Sequence, residues 1–251
     1  MASKPQDRGE SSSQFVQKSE HSVLWLSRER SAISEMTTRL EGFFVRYAQK
    51  HLRALPWRKK GVKPFHLLLA EVMLVQTKAG DVARVWPKLV RRYADPQELA
   101  RANTESLVKL LNTLGLQNQR ARALKEISKT LISKFGGTVP NKVEDLLSIP
   151  HIGLYTATAV ACFHFGERLP IVDANVLRVM GRITGQLVGK DLRRCPEIWA
   201  SAWAMLPARN ASLHNYGLLD FASDVCRIRD PKCRSCPLKA ICAYGCRQNR
   251  D

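Results

Sequence analysis

No run in this 251-residue chain approaches the roughly 20 apolar residues that a membrane-spanning helix needs, so an integral helical membrane protein is excluded. Acidic residues are scarce: 22 Asp and Glu against 40 Lys and Arg leave a net charge of +18. A surface so poor in negative charge concentrates polyanions and speeds their capture, which makes nucleic acid the expected partner ahead of an anionic membrane surface. Credible alternating strand segments, tandem repeats and low-complexity tracts beyond the first residues are also missing, which excludes sheet-based and repeat architectures. No secretory signal opens the sequence, and seven cysteines cannot all pair, so a disulfide framework is disfavoured and a reducing cytoplasm is expected.

What remains is helical. Residues 1–30 read as a disordered basic and polar arm, because only Met1, Ala2, Phe15 and Val16 are apolar among the first 22 and cannot offset the entropy of ordering. Structure is expected from about Ser31, where Ile33, Met36, Leu40, Phe43, Phe44 and Tyr47 recur at helical spacing. From Pro64 onward apolar helical stretches alternate with short polar joints, as in Leu107–Leu111, Ala121–Phe135, Asp145–Leu147, Thr156–Phe165 and Trp199–Leu206. The expected class is all-α.

Near the C-terminus Cys226, Cys233, Cys236 and Cys242 form C-x6-C-x2-C-x5-C. Thiolates are soft ligands, which leaves iron–sulfur or zinc as candidate centres. Structural zinc sites use two short ligand knuckles on a longer arm, whereas here only Cys233 and Cys236 are knuckle-like and no His lies inside the run. A [4Fe-4S] cluster is therefore expected, with zinc and a disulfide as alternatives. Cys162, Cys195 and Cys246 are expected to be dispensable as ligands, and Cys162, in an apolar helix, reads as a small core residue.

Three local features carry chemistry. Glu71 stands inside Leu67-Leu68-Leu69-Ala70-Glu71-Val72-Met73-Leu74-Val75, a helix apolar on nearly every side. A carboxyl buried there is either paired with an Arg or holds its proton to high pH, as a general acid must. Ile149-Pro150-His151-Ile152-Gly153-Leu154-Tyr155 reads as the turn of a helix-hairpin-helix, with Gly153 supplying the backbone freedom and the next helix offering amides to a phosphate. An ordinary helix–helix turn is the alternative. Asp173, in Pro170-Ile171-Val172-Asp173-Ala174-Asn175, is either a helix N-cap or a carboxylate at the mouth of a pocket, where it could stabilise an oxocarbenium-like sugar.

These three features and the cysteines, in this order, resemble the helix-hairpin-helix DNA glycosylases of the endonuclease III superfamily over roughly Ser31 to Cys246. Leu55-Pro56-Trp57-Arg58, Ala70-Glu71-Val72-Met73-Leu74 and Val172-Asp173-Ala174-Asn175 are closest to its mismatch branch, which holds the MutY adenine glycosylases and the archaeal thymine glycosylases acting on G·T. The resemblance implies two helical lobes, 64–165 with the hairpin and 31–63 plus 166–251 with a cluster loop over 226–242. It implies that Glu71 protonates the departing base, Asp173 stabilises the sugar cation and Asn175 orients Asp173. Tyr155 occupies the slot where bifunctional members carry a Schiff-base lysine, so strand cleavage should be weak. Gln76, Gln117, His151 and Gly153 are the expected DNA-binding residues. Arg227, Arg229, Lys232 and Arg234, packed among the cysteines, join them as a basic loop for a phosphate backbone.

Two departures limit what carries over from the family. The family hairpin is usually Pro-Gly-x-Gly, and His151 replaces its first glycine here. The adenine enzymes carry an aromatic pair after Gly-Leu-Gly and a C-terminal domain sensing 8-oxoguanine, whereas this chain reads Gly115-Leu116-Gln117-Asn118-Gln119 and stops at Asp251. These last two differences look like the thymine branch and favour release of thymine or uracil opposite guanine, with adenine opposite guanine or 8-oxoguanine as the alternative; Tyr155 makes that release monofunctional. A catalytically silent, metal-stapled DNA-damage sensor is a third. The expected partner is double-stranded DNA with a mismatched or damaged base, met by a monomer in the cytoplasm or at a nucleoid.

Overall fold

A computed structural model describes residue 40, residues 42–185 and residues 196–247. The arm over 1–30, the helical start near Ser31 and Cys195 lie outside the described residues.

Proline and polar caps set where helices begin. After α1 (Phe43–His51) and a 3-10 turn at Pro56–Arg58, Pro64 opens α2 (Pro64–Leu74), where its missing N–H costs no hydrogen bond. Next come α3 (Ala79–Arg92), α4 (Pro96–Ala100) and α5 (Thr104–Leu111). The Asp95 carboxylate accepts from Glu98 N to cap α4, and the Asn103 side chain accepts from Ser106 N to cap α5. The chain continues through α6 (Gln117–Phe135), α7 (Val143–Leu147), α8 (Leu154–Phe163), α9 (Ala174–Thr184), α10 (Pro196–Ala204), α11 (Ala211–Asp224) and α12 (Ala243–Arg247). Among the described residues there is no strand, and the fold is all-α.

Burial divides along the sequence. One core runs from Trp57 to Ala161 and takes Leu68, Leu69 and Met73 from α2, Leu89 from α3, Leu107 from α5, Leu124 from α6 and Ala157 from α8. Another takes Leu40 and Phe44 from the start and then Val176, Met180, Trp199, Phe221 and Leu238 from the second half. Ala159, Cys162, Ile171, Trp203 and Leu206 form a small cluster of their own. The chain thus leaves the second core after α1 and returns to it at Val172. That return depends on Gly217 of α11: a Cβ there would stand 1.9 Å from the Phe44 carbonyl oxygen, so any side chain would push α1 away.

Candidate active site and nucleic-acid interface

α2 is apolar around nearly its whole circumference, so it is buried on every side and takes Glu71 with it, at 2% exposure. Burial pushes the Glu71 carboxyl up to about 7, against the opposing pull of a Tyr155 hydrogen bond and of Arg58, and with a further push from Asp173. The Tyr155 hydroxyl, from the first turn of α8, donates to Glu71 Oε2 at 3.1 Å. Burial and the neighbouring Glu71 hold the Tyr155 phenol well above its ordinary range, so it stays a neutral donor.

Asp173 is the N-cap of α9 and faces the same cleft, so the two uses of this residue coexist. Its Oδ1 accepts from Asn175 N at 2.9 Å and Val176 N at 2.8 Å, and its Oδ2 accepts from Asn175 Nδ2 at 2.7 Å. Asn175 is held in turn by Arg178, whose Nη1 donates to Asn175 Oδ1 at 3.1 Å. Arg178 also donates through Nε to the Cys226 carbonyl at 2.9 Å and through Nη2 to the Ala222 carbonyl at 3.0 Å. A hydrogen-bonded chain therefore joins Asp173 to the first residue of the cysteine loop.

Glu71, Tyr155, Asp173 and Asn175 line one cleft of about 620 Å³, together with Trp57, Arg58, Gln76 and Tyr216. An adjoining space of about 740 Å³ continues past Tyr155 and Asp173 to His151, Gly153 and Trp199. The sequence singled out Arg58 only as part of a motif and passed over Tyr216 and Asp220. Arg58 is fixed from two sides: its Nη1 reaches Asp220 Oδ2 at 2.7 Å, and its guanidinium carbon lies 4.2 Å from the centre of the Tyr216 ring. Tyr216 stacks on Phe163 at 3.7 Å and 8°. Asp220 is fully buried and also takes Arg53 Nε at 2.6 Å. Burial opposes its charge, yet the Arg58 and Arg53 contacts win and hold its carboxyl below the usual range. These partners are 162 and 167 positions apart, and no local pattern announces them.

The hairpin differs in detail from its sequence reading. Gly153 is not the strained position: at φ −92° and ψ 175° it is extended backbone that caps α8. The left-handed residue is His151, at φ 66°. The reversal falls on the residue after Pro150, two positions earlier, where His is among the side chains better tolerated. The ring does not stand free, since His151 Nε2 lies 2.6 Å from Glu126 Oε2. Arg122 and then His151 hold the Glu126 carboxyl down to about 2. Ile149 and Ile152 anchor the turn in the core at 1% and 6% exposure, leaving Pro150, His151 and Gly153 outside.

Gln76 and Leu116 also have left-handed backbone, at φ 57° and 51°, at exposed points after α2 and before α6. Gln117, at the first position of α6, follows directly. Leu116 is 52% exposed, a large apolar side chain presented to solvent that the sequence did not flag. In the basic loop Arg229, Lys232 and Arg234 are exposed, while Arg227 is paired with Asp230 at 3.0 Å. Arg182 holds this loop from beneath, donating to the Arg227 carbonyl at 2.7 Å and the Ile228 carbonyl at 3.2 Å.

Cys226, Cys233, Cys236 and Cys242 line one cavity and none is in a disulfide. Among the described residues no three His, Cys, Asp or Glu side chains come close enough to share a single metal ion. Four thiols lining one space supply the soft donor set that an iron–sulfur or a zinc centre takes. Cys246 is exposed and its Sγ lies by the Lys239 and Ala240 carbonyls. Cys162 is buried, with its Sγ 3.3 Å from Asn215 Nδ2. No helix among the described residues is long and apolar enough to cross a membrane.

Fold and site together define a helix-hairpin-helix protein with a carboxyl-lined cleft and a cysteine-bearing basic loop. Comparison with known proteins agrees. The family model described as HhH-GPD superfamily base excision DNA repair protein matches residues 69–191. The thymine-DNA glycosylase of Aeropyrum pernix is 34% identical over 225 residues, which cover 88% of this chain and 98% of that protein. The adenine DNA glycosylase of Mycobacterium tuberculosis is 37% identical over 193 residues, 76% of this chain, and the chain spans 63% of that relative's length. A solved thermostable thymine-DNA glycosylase superposes with a TM-score of 0.76 at 28% identity, covering 87% of this chain and 99% of that one. The chain belongs to the HhH-GPD superfamily of base excision DNA repair proteins.

Proposed function

We propose that the chain is a monofunctional DNA glycosylase that extrudes a mismatched base and hydrolyses its N-glycosidic bond, with thymine or uracil opposite guanine as its target. The observation that carries this is a pair of carboxyl groups in one cleft, one buried inside an apolar helix and one fixed at the start of the next. Glu71 is pushed up to about 7, while Asp173 is held in place by three hydrogen bonds from Asn175 and Val176. A group protonated near neutrality suits delivery of a proton to the departing base. A fixed anion suits the positive charge that develops on the sugar. Tyr155 donates to Glu71 Oε2, which leaves Oε1 to carry the mobile proton. Arg58 and Tyr216 form a stacked wall against which a flipped base could lie.

For the target, the thymine and uracil enzymes supply the support: the A. pernix relative and the solved thymine-DNA glycosylase are matched over nearly their full lengths. Adenine is the second reading, favoured by the acid itself, since a purine leaving group gains most from protonation. Timed release of free base from G·T, G·U, A·G and A·8-oxoguanine duplexes tests both. Thymine and uracil should leave fastest, and adenine alone would reverse the assignment.

Lys in place of Tyr155 puts an amine in the cleft beside Glu71 and Asp173, where it can attack the sugar carbon. Tyr155→Lys should therefore gain strand nicking, read as a covalent complex trapped by borohydride. Efficient trapping of the unaltered chain would overturn the monofunctional assignment and require another lysine as nucleophile.

We also propose that Cys226, Cys233, Cys236 and Cys242 hold a [4Fe-4S] cluster. The cluster would staple the loop that presents Arg229, Lys232 and Arg234, and through Arg178 its first ligand would brace Asn175 and Asp173. Native protein should be brown, with iron and acid-labile sulfide in equal amounts. Substitution of Cys162, Cys195 or Cys246 should leave both unchanged. Zinc as the sole metal would contradict the proposal.

A further inference from the structure

α2 ends without the glycine that commonly closes a helix: Val75 leaves the helix at φ −57° and ψ 116°, and Gln76 is left-handed. The Leu74 carbonyl accepts from Thr77 N, and one side chain serves the Val72, Met73 and Val75 carbonyls, Arg120 of α6, 7% exposed and more than 40 residues away in sequence. Its Nη1 donates to the carbonyls of Met73 at 3.0 Å and Val72 at 3.4 Å. Its Nη2 donates to the Val75 carbonyl at 2.9 Å and to Thr77 Oγ1. Its Nε turns the other way and donates to the Gly115 carbonyl at 2.9 Å. The residues next to these acceptors are Gln76 and Leu116, two exposed tips with strained backbone.

A planar guanidinium that spends its donors on two loops sets their spacing as well as their stability. A cation at the C-terminus of α2 is also favoured by the helix dipole, and burial is the cost set against it. Lysine could keep the charge but could not bond both loops at fixed angles.

We propose that Arg120 is a positioning residue that holds the Gln76 and Leu116 tips at the separation needed to enter a duplex together, and so controls base extrusion instead of bond cleavage. This rests on the glycosylase reading. An amide tip can fill the space of the expelled base and an apolar tip can wedge the stack, but only as a pair of fixed geometry. Displacement of either tip alone would forfeit the other's contribution.

The test compares wild type, Arg120→Lys, Leu116→Ala and the double variant on two substrates. One is a G·T duplex with 2-aminopurine beside the thymine; the other places the same thymine in a bubble of unpaired bases. On the duplex, Arg120→Lys should slow the rise of fluorescence and single-turnover release together, by about tenfold or more. On the bubble, release should return to within about threefold of wild type. The double variant should be no slower than the worse single variant, because the two act on one step. Equal slowing on both substrates would mean general damage to the fold or the cleft and would overturn the proposal, as would an unchanged duplex rate. If wild-type protein releases no base from either substrate, the glycosylase reading fails, and the fluorescence rise alone then decides whether Arg120 governs opening.

Discussion

Asp173→Asn should release base about 10³-fold more slowly than the wild-type chain, or worse, while binding a mismatched duplex with nearly unchanged affinity. The substitution is chosen because it spares the fold. An asparagine Oδ1 can still accept from Asn175 N and Val176 N, so the cap on α9 survives. What disappears is the negative charge, and the Asn175 side-chain amide then faces an amide instead of a carboxylate. Loss of a preorganised charge at a developing cation is worth several kcal/mol in a water-poor site. On the proposed reading affinity comes from phosphate contacts of the hairpin and the basic loop, away from Asp173, so it should hold. Single-turnover release and gel-shift titration on the same duplex separate the two effects. A variant that loses binding in parallel with release would show Asp173 to be a structural cap only.

Glu71→Gln should cut release by about 10²–10⁴-fold and at the same time make the protein more stable above neutral pH. The rate depends on the proton. Folded Glu71 keeps it up to about pH 7, so wild-type release should fall about tenfold per pH unit above that, and the glutamine variant should show no such limb. Stability depends on the same proton. An unfolded glutamate loses it near 4.5, so the folded state binds more protons between that pH and about 7, and stability falls as pH rises through the window. Glutamine has no such charge to bury. Its advantage should be small at pH 4 and reach about 3 kcal/mol at pH 8, an upper figure set by the size of the shift. Thermal melts at both pH values check this, and identical pH profiles for the two proteins would contradict the burial of an ionisable Glu71. Stability gained at the expense of activity is common where a charge is kept in an active site.

The helical class was legible because apolar spacing is a local signal, and α2 showed Glu71 as an intruder in an apolar helix. The grouping of the four cysteines was legible because their spacing is local too, and all four line one cavity. Asp173 was harder, since an N-cap and a cleft carboxylate use the same residue at the same place, and here it is both. Long-range partners were invisible. Nothing near Arg120 announces that it closes a helix more than 40 residues earlier, and nothing near Asp220 shows that it anchors Arg53 and Arg58. Backbone strain was misplaced for a related reason: sequence points to glycine, but Gln76, Leu116 and His151 are left-handed and Gly153 is not. Each is held by tertiary contacts or by the rigid helices on either side, which sequence alone does not display.

The central claim is that the Glu71–Asp173 cleft breaks a glycosidic bond in mismatched DNA. Its most direct measurement is chromatographic detection of free base after incubation of the purified chain with G·T, G·U, A·G and A·8-oxoguanine duplexes, beside Asp173→Asn as the control. The account predicts free thymine and uracil from the guanine mismatches, an abasic strand left uncut until alkali is added, and almost nothing from the variant. Tight binding of these duplexes with no free base from any of them would contradict it, and would leave a DNA-damage sensor in its place.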